Sequence, residues 1–568
     1  MELKDKIRKY ALQNAVKFNG KANPGAVIGK LIADDVSVKS KMKDVSKDVQ
    51  DVIKELNKIN LKEQEEELRR IDPGFFEQKK TEEEKKVLPP LENAVKGKIV
   101  MRFAPSPSGP LHIGHTIPLG LTYMYCKMYD GKLILRIEDT NPENIYTPAY
   151  EMIPENANWL TGNAVKEVII QSDRMKTYYR YIEELINKNA AYVCECKQEE
   201  YKKLIDNMQE CPCRELGKKE QMKRWKKMLK KEKGYKEGEA VVRVKTDVKH
   251  KNPAMRDFPI ARINEETHPK QKKKYRVWPL MNLAVFVDDV ELGMTHIIRG
   301  KDHADNAKRQ EYMYKYLKKE VPFTYFHGRV NFTDLEVSCS KTKKAIAEGK
   351  FTGWDDIKLP FLAALRKRGY QPGAFLKWVE SIGVSLSDKT VSKEEAFKII
   401  NFFNKEIIDS SSDRYFFIED PKKIKIVDCR KFDVELDLHP DYKKGGRKFE
   451  IDGNFYLDKG DYKDIKDGKL VRLMDCLNFV KKSGKLKFDS VEYETYKEKG
   501  KMIIHWLPVV KELVKVEIVM PCGTVKKGLA EPLVGELKEG AIVQFERFGF
   551  CRLDEKKKGK LVFWFGHR

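Results

Sequence analysis

The sequence predicts an α/β fold of the Rossmann type, interrupted by an inserted domain, preceded by helices and followed by a helical segment and all-β barrels. Three observations carry this expectation. Residues 98–141 pass through strand, loop, helix and strand signals; two Cys-x-Cys pairs break the pattern that follows; and from about residue 416 the texture changes to short alternating strands. A chain of 568 residues is too long for one core, and its length fits three to five domains.

In the opening unit, Ile99 to Phe103 is an apolar run rich enough in β-branched and large residues to form a buried strand. Pro105, Pro107, Gly109 and Pro110 then break it into a tight loop. From His112 the spacing is helical through Tyr129, with Pro118 tolerated near the start and Gly131 placed to end the helix. Lys132 to Ile137 reads as a second strand. In such a β-loop-α-β unit the first loop and the helix N-terminus present unpaired N–H groups and a positive dipole end, which together make an anion site. His112 and His115 fall on one side of the first helical turn and offer two imidazole donors where phosphate oxygens would sit. Gly114 has no Cβ, so a flat base or ribose can approach the backbone there.

His112-Ile113-Gly114-His115 resembles the HIGH motif of class I aminoacyl-tRNA synthetases, and Arg102 to Gly109, RFAPSPSG, is similar to the start of glutamyl-tRNA synthetases. The stretch RIEDTNP from Arg136 to Pro142, the chain length and the C-terminal third further resemble the archaeal branch of that family, which shares its architecture with glutaminyl enzymes. The resemblance covers essentially the whole chain. It implies a ligase that activates L-glutamate with ATP and Mg²⁺ and transfers it to tRNA(Glu), leaving open whether tRNA(Gln) is also charged. It also implies a division into a helical tRNA-associated domain (1–95), two halves of a catalytic domain (96–190 and 276–345), an inserted acceptor-stem-binding domain (191–275), a helical stem-contact domain (346–415) and β-barrel anticodon-binding domains (416–568).

The formal charge of +24 implies a polyanionic partner, and tRNA suits the motif just described. A lysine-rich surface in a heat-adapted protein would give the same 35% of charged residues. The N-terminus, MELKDKIRKYALQ, carries mixed charge, and no run approaches the length needed to cross a bilayer. A soluble, cytoplasmic monomer without a membrane partner is expected. Ten cysteines in so long a chain do not make a disulfide framework, and in a reducing compartment clustered ones point to metal.

Before the opening unit, KIRKYALQNAVKFN, PGAVIGKLIAD and KDVQDVIKELNKINLKEQEEELRRI read as helices, and Lys79 to Pro90 as a charged linker ending in proline. After it, VKEVIIQSDR contains a third strand and Arg174 to Asn189 a helix. Cys194-x-Cys196 and Cys211-x-Cys213 then flank a short charged helix, and four sulfurs at C-x-C-x14-C-x-C spacing suit a tetrahedral structural zinc site. Related synthetases carry a zinc knuckle at this insertion. The basic runs KKEQMKRWKKMLKKEKGYK and HPKQKKKYR would meet phosphates of an acceptor stem. Val241 to Ile263 reads as strands completing the insertion.

Past the insertion, LAVFVDDVELG reads as a strand and turn, and THIIRGKDHADN as a strand and helix start. Arg299-Gly300-Lys301-Asp302 resembles the family's IRGxD stretch, at the glutamate and ATP pockets. Where relatives often have Tyr, PLMN carries Met281, and no role is transferred to it. LEVSCSKTKK aligns with the KMSKS motif, keeping only its central Ser340-Lys341. Residues 346–415 read as helical, and from 416 regular short strands with polar turns argue for one or two barrels.

The resemblance assigns His112, His115 and Lys341 to catalysis. It implies ATP contacts at Gly114, Gly300, Asp302 and Ser340, and glutamate contacts at Arg102, Ala104, Ser106, Glu138 and Arg299. Glutaminyl enzymes place Pro, Glu and Asn in RFPPEPNG; this chain has Ala104, Ser106 and Ser108, the glutamyl form. Arg102 is then free to grip the substrate carboxylate, with Arg299 as a second cation and Glu138 holding the ammonium. The rivals are a glutaminyl enzyme, a nucleotide-dependent transferase without tRNA, and a tRNA-binding module without catalysis.

Overall fold

In the computed structural model the described residues are all but 1–2, 18–19, 21, 36–37, 39–41, 73–74 and 76–87. The chain divides into two compact units, residues 1–87 and 88–568. The expected linker from Lys79 lies mostly outside the described residues. Its end does not: Leu88 and Leu91 are buried in the core of the larger unit, so that unit begins before residue 96.

The smaller unit holds α1 (Leu3–Lys17), α2 (Pro24–Asp34), α3 (Met42–Leu56) and α4 (Leu61–Ile71) around Leu12, Leu31, Val49 and Leu68. The third predicted helical stretch is two helices. Asn60 caps α4 through a reciprocal pair of bonds with Glu63, which starts a new helix where the apolar spacing alone ran on.

The larger unit opens with β1 (Val100–Phe103), α5 (Thr116–Met128), β2 (Lys132–Ile137), α6 (Ala149–Thr161), β3 (Val165–Ile170) and α7 (Met175–Asn187). The strands run parallel in the order β1-β2-β3, as the buried run Leu133 to Ile137 requires of a sheet covered on both faces. The turn after α5 is made by Asp130, whose φ is +51°, not by Gly131. Gly131 serves the strand instead: a Cβ there would sit 2.8 Å from the carbonyl oxygen of Ile99.

An insertion follows, with β4 (Ala191–Cys194), α8 (Gln198–Asp206), α9 (Lys218–Leu229), β5 (Val241–Val244), β6 (Pro259–Ile263) and β7 (Val277–Pro279) in one antiparallel sheet in chain order. The fold resumes with α10 (Met281–Glu291), β8 (His296–Gly300), α11 (Ala304–Leu317) and β9 (Phe323–His327). The stretch LAVFVDDVE, expected as a strand, lies in α10: Leu283 through Asp289 are buried on every side, so the apolar run has no helical period to show. Thr295 donates its N–H to the carbonyl of Val100 at 3.0 Å, laying the parallel pair β8-β9 against the free edge of β1. The order β3-β2-β1 then β8-β9 makes a switch point between β1 and β8, and the crevice beyond their C-terminal ends is where such sheets bind ligands.

Next come α12 (Cys339–Ala347), α13 (Leu362–Lys367), α14 (Pro372–Ile382) and α15 (Lys393–Ile408). Beyond them lie two seven-stranded sheets. In the first, strands Arg414–Tyr415 and Phe417–Glu419 stand at opposite ends of the order, separated in sequence only by Phe416. In the second, Gly500–Ile504 and Leu507–Pro508 stand at opposite ends, separated by His505 and Trp506. A short link that carries the chain from one edge to the other curls each sheet into a barrel, which removes free edges. The two links touch: the rings of Phe416 and Trp506 lie 5.9 Å apart.

Candidate active site

A cavity of about 460 Å³ occupies the predicted crevice. Arg102, Ala104 and Ser106 reach it from the end of β1, Glu138 from the end of β2, and Arg299, Gly300 and Asp302 from the end of β8. His112, Gly114 and His115 line it at the entrance to α5. Of the expected site residues outside the cysteines, Lys341 and Ser340 do not line it.

The histidine end is a tight turn of 3-10 geometry over Ile113–His115, with the α-helix starting at Thr116. His112 Nδ1 accepts the N–H of Gly114 at 3.1 Å, and His115 Nδ1 accepts the N–H of His112 at 3.2 Å. With both Nδ1 atoms accepting, the ring protons are on Nε2. The rings stack with centroids 3.8 Å apart. Burial and the neighbouring His115 push the His112 pKa well below the ordinary value, and burial lowers that of His115 to about 4. Both are therefore neutral N–H donors near pH 7. The missing Cβ of Gly114 makes room for this pair, since it would fall 3.0 Å from His112 Cε1. The loop is clamped from behind: Ile113 N–H donates to the carbonyl of Pro360 and Leu362 N–H to that of Leu111, each at 2.9 Å.

The opposite end is a charge network. Arg136, fully buried, donates to Asp289 Oδ1 at 2.5 Å and to Glu138 Oε1 at 2.9 Å; Arg102 Nε lies 3.4 Å from the same Asp289 oxygen. Arg299 donates to Gln310 at 3.2 Å. Burial pushes the Asp289 pKa up, but Arg136, Arg102 and Arg299 together hold it below the usual carboxylate value. Burial and the charge of Arg102 bring the Arg299 pKa down to about 10. Arg102 therefore pairs with Asp289 and not with Glu138, and it also lines the cavity.

Lys341 stands apart. Ser338 caps α12, and Lys341 Nζ pairs with Glu336 at 2.9 Å with three-quarters of its side chain exposed. Met281, His303, His327 and Arg329 line the cavity without having been singled out for it; Arg136 and Asp289 lie behind it and were also missed. Arg136 was visible in RIEDTN as a cation beside Glu138, whereas Asp289 sat in a run misread as a strand.

In the insertion, the sulfurs of Cys194, Cys196, Cys211 and Cys213 lie within 4.8 Å of one another, with separations of 3.5, 3.4 and 3.9 Å for the pairs 194–211, 196–211 and 196–213. Four thiolates placed tetrahedrally about 2.3 Å from one zinc stand about 3.8 Å apart, so the cluster fits that ion. Arg224 and the N–H of Glu195 lie 3.4 and 3.5 Å from Cys213 Sγ, where they offset thiolate charge.

Switch-point crevice, stacked neutral imidazoles at a helix entrance and an interrupting insertion define a class I synthetase catalytic domain. The model of the class I (E and Q) tRNA synthetase catalytic domain matches residues 98–409, and two anticodon-binding models of the same group match 412–495 and 503–554. The chain belongs to this family. Among its most similar relatives are proteins named glutamate–tRNA ligase from Pyrococcus furiosus and Thermococcus kodakarensis, each 43% identical, and one from Methanothermobacter thermautotrophicus, 42% identical; every alignment covers 100% of both chains.

Proposed function

We propose that this protein activates L-glutamate with ATP and transfers it to tRNA(Glu). The observation that carries the reading is one cavity with neutral Nε2–H donors at one end and buried guanidinium groups at the other. Full-length relatives carrying that name support it. In the first step the glutamate α-carboxylate attacks the α-phosphorus and pyrophosphate leaves. His112 and His115 donate to the phosphate oxygens, whose charge changes most in the transition state. Arg102 and Arg299 hold the side-chain carboxylate, Glu138 the ammonium, and Ala104 and Ser106 the wall between them; fixing both reactants supplies much of the rate. Gly114, Gly300 and Asp302 bound the nucleotide. Ser340 and Lys341 join it when α12 moves inward. Mg²⁺ brought with ATP would neutralise phosphate charge. In the second step the terminal ribose hydroxyl of tRNA attacks the mixed anhydride.

The cysteine cluster would hold a structural zinc that ties β4 to the turn before α9, remote from the chemistry. The barrels and the basic insertion suit the two ends of a tRNA, and work on tRNA belongs in the cytoplasm. ATP–pyrophosphate exchange with tRNA present, comparing glutamate with glutamine, tests the main reading; comparable exchange with glutamine overturns it. Aminoacylation of purified tRNA(Gln) decides the second acceptor. Elemental analysis of protein prepared without chelator should give one zinc per chain, and Cys194→Ala should lose it; full retention of zinc in that variant overturns the site.

A further inference from the structure

Arg136 and Asp289 do not line the cavity, and both are completely or almost completely buried behind it. They are nonetheless wired to it, Arg136 through Glu138 at 2.9 Å and Asp289 through Arg102 at 3.4 Å. Each keeps an unused polar atom: Arg136 Nε and Asp289 Oδ2 have no hydrogen-bond partner among the described residues. The neighbouring ion pair is self-contained, since Arg174 donates to Asp288 at 2.7 Å. Two further charged residues that line the cavity, Asp302 and Arg329, are opposite in sign and cancel in the count. What remains is three guanidinium groups, on Arg102, Arg136 and Arg299, against two carboxylates, on Glu138 and Asp289. One positive charge is left over in a site largely removed from water.

An uncompensated buried charge is costly, and a ligand that neutralises it is favoured over an isosteric ligand that does not. The glutamate side chain supplies that negative charge; glutamine does not. Resting on the reading that glutamate is the substrate, we infer that Arg136 and Asp289 are specificity-determining positioning residues. Together they fix the charge of the amino-acid pocket at plus one, and so select a carboxylate over an amide without touching either. Burial first, and the charge of Arg102 second, lower the pKa of Arg299 in the same pocket.

The inference makes opposite predictions for two near-isosteric changes. Arg136→Gln takes the pocket to zero, and the ratio of kcat/KM for glutamate over glutamine in tRNA-supported pyrophosphate exchange should fall at least about tenfold. The loss should appear in the KM for glutamate with the KM for ATP unchanged. Asp289→Asn takes the pocket to plus two, and the ratio should not fall. The double variant returns the count to plus one and should recover the ratio to within about threefold of the parent; Arg136→Lys, which keeps the charge, should do the same. A parent enzyme that does not prefer glutamate defeats the functional reading itself. A parent that does, with Arg136→Gln unchanged in selectivity or the double variant no better than Arg136→Gln, overturns the charge count. Failure of the double variant to fold also overturns it, because the network would then serve the fold and not selection.

Discussion

Behind the cavity, Arg136 and Asp289 are 0% and 1% exposed with their nearest atoms 2.5 Å apart, whereas the Lys341 side chain, outside the cavity lining, is 74% exposed and paired with Glu336, itself 54% exposed. A buried ion network has discrete partners and nowhere to go, so it is set before the substrate arrives. An exposed pair contributes about 0–1 kcal/mol and exchanges partners freely. On the proposed function, the amino acid is recognised by a fixed device and triphosphate charge is met by an exposed one. The two imidazoles are buried like the first and neutral unlike either.

The hardest blow to this contrast would come from the fixed end. Arg299→Ala should raise the glutamate KM at least about a hundredfold, near 3 kcal/mol, the scale for leaving buried charge unpaired; a rise below tenfold in pyrophosphate exchange would mean the pocket rearranges as easily as the lysine. Lys341→Ala should slow adenylate formation about tenfold to a hundredfold at saturating ATP, about 1.4 to 2.7 kcal/mol of barrier. Unchanged single-turnover activation would show that the movable cation is another residue. The imidazoles sharpen the middle case. His115 is buried neutral with its pKa lowered from 6.5 to about 4, so the unfolded chain binds the proton first. Its contribution to stability is complete above pH 6.5 and is lost as pH falls from 6.5 through 4. Urea midpoints taken across that window should decline less steeply in His115→Asn; parallel declines would mean that acid acts elsewhere. The smallest effect belongs to Glu336→Gln, which frees Lys341 and should change the ATP KM by less than about threefold. A tenfold change would make the exposed pair a genuine latch.

The opening unit was legible because its signals are local: β-branched runs, prolines, a His pair three residues apart. The helix at Met281–Glu291 was not, because burial of Leu283 through Asp289 on all sides erases the period that distinguishes helix from strand. With that element misread, Asp289 could not be aimed at anything. Asp130 at the turn and the cap at Asn60 were decided by one dihedral and one pair of hydrogen bonds, which hydrophobic spacing does not report. The approach of β8 to β1 is a tertiary event that only the resemblance, not the residues, anticipated.

That approach has a temporal cost. Val100 waits for Thr295, 195 residues further along, before its edge is covered. At about 5–20 residues per second of synthesis, β1 emerges about 10–40 s before its neighbour exists. During that interval its unpaired N–H and C=O groups are open to other chains, and loop closure over such a span is slow even afterwards. The insertion, whose sheet pairs strands in chain order, is complete by Pro279 and can be folded before β8 appears. The interruption therefore delays the closing of the crevice but shortens the distance over which its two halves must search for each other.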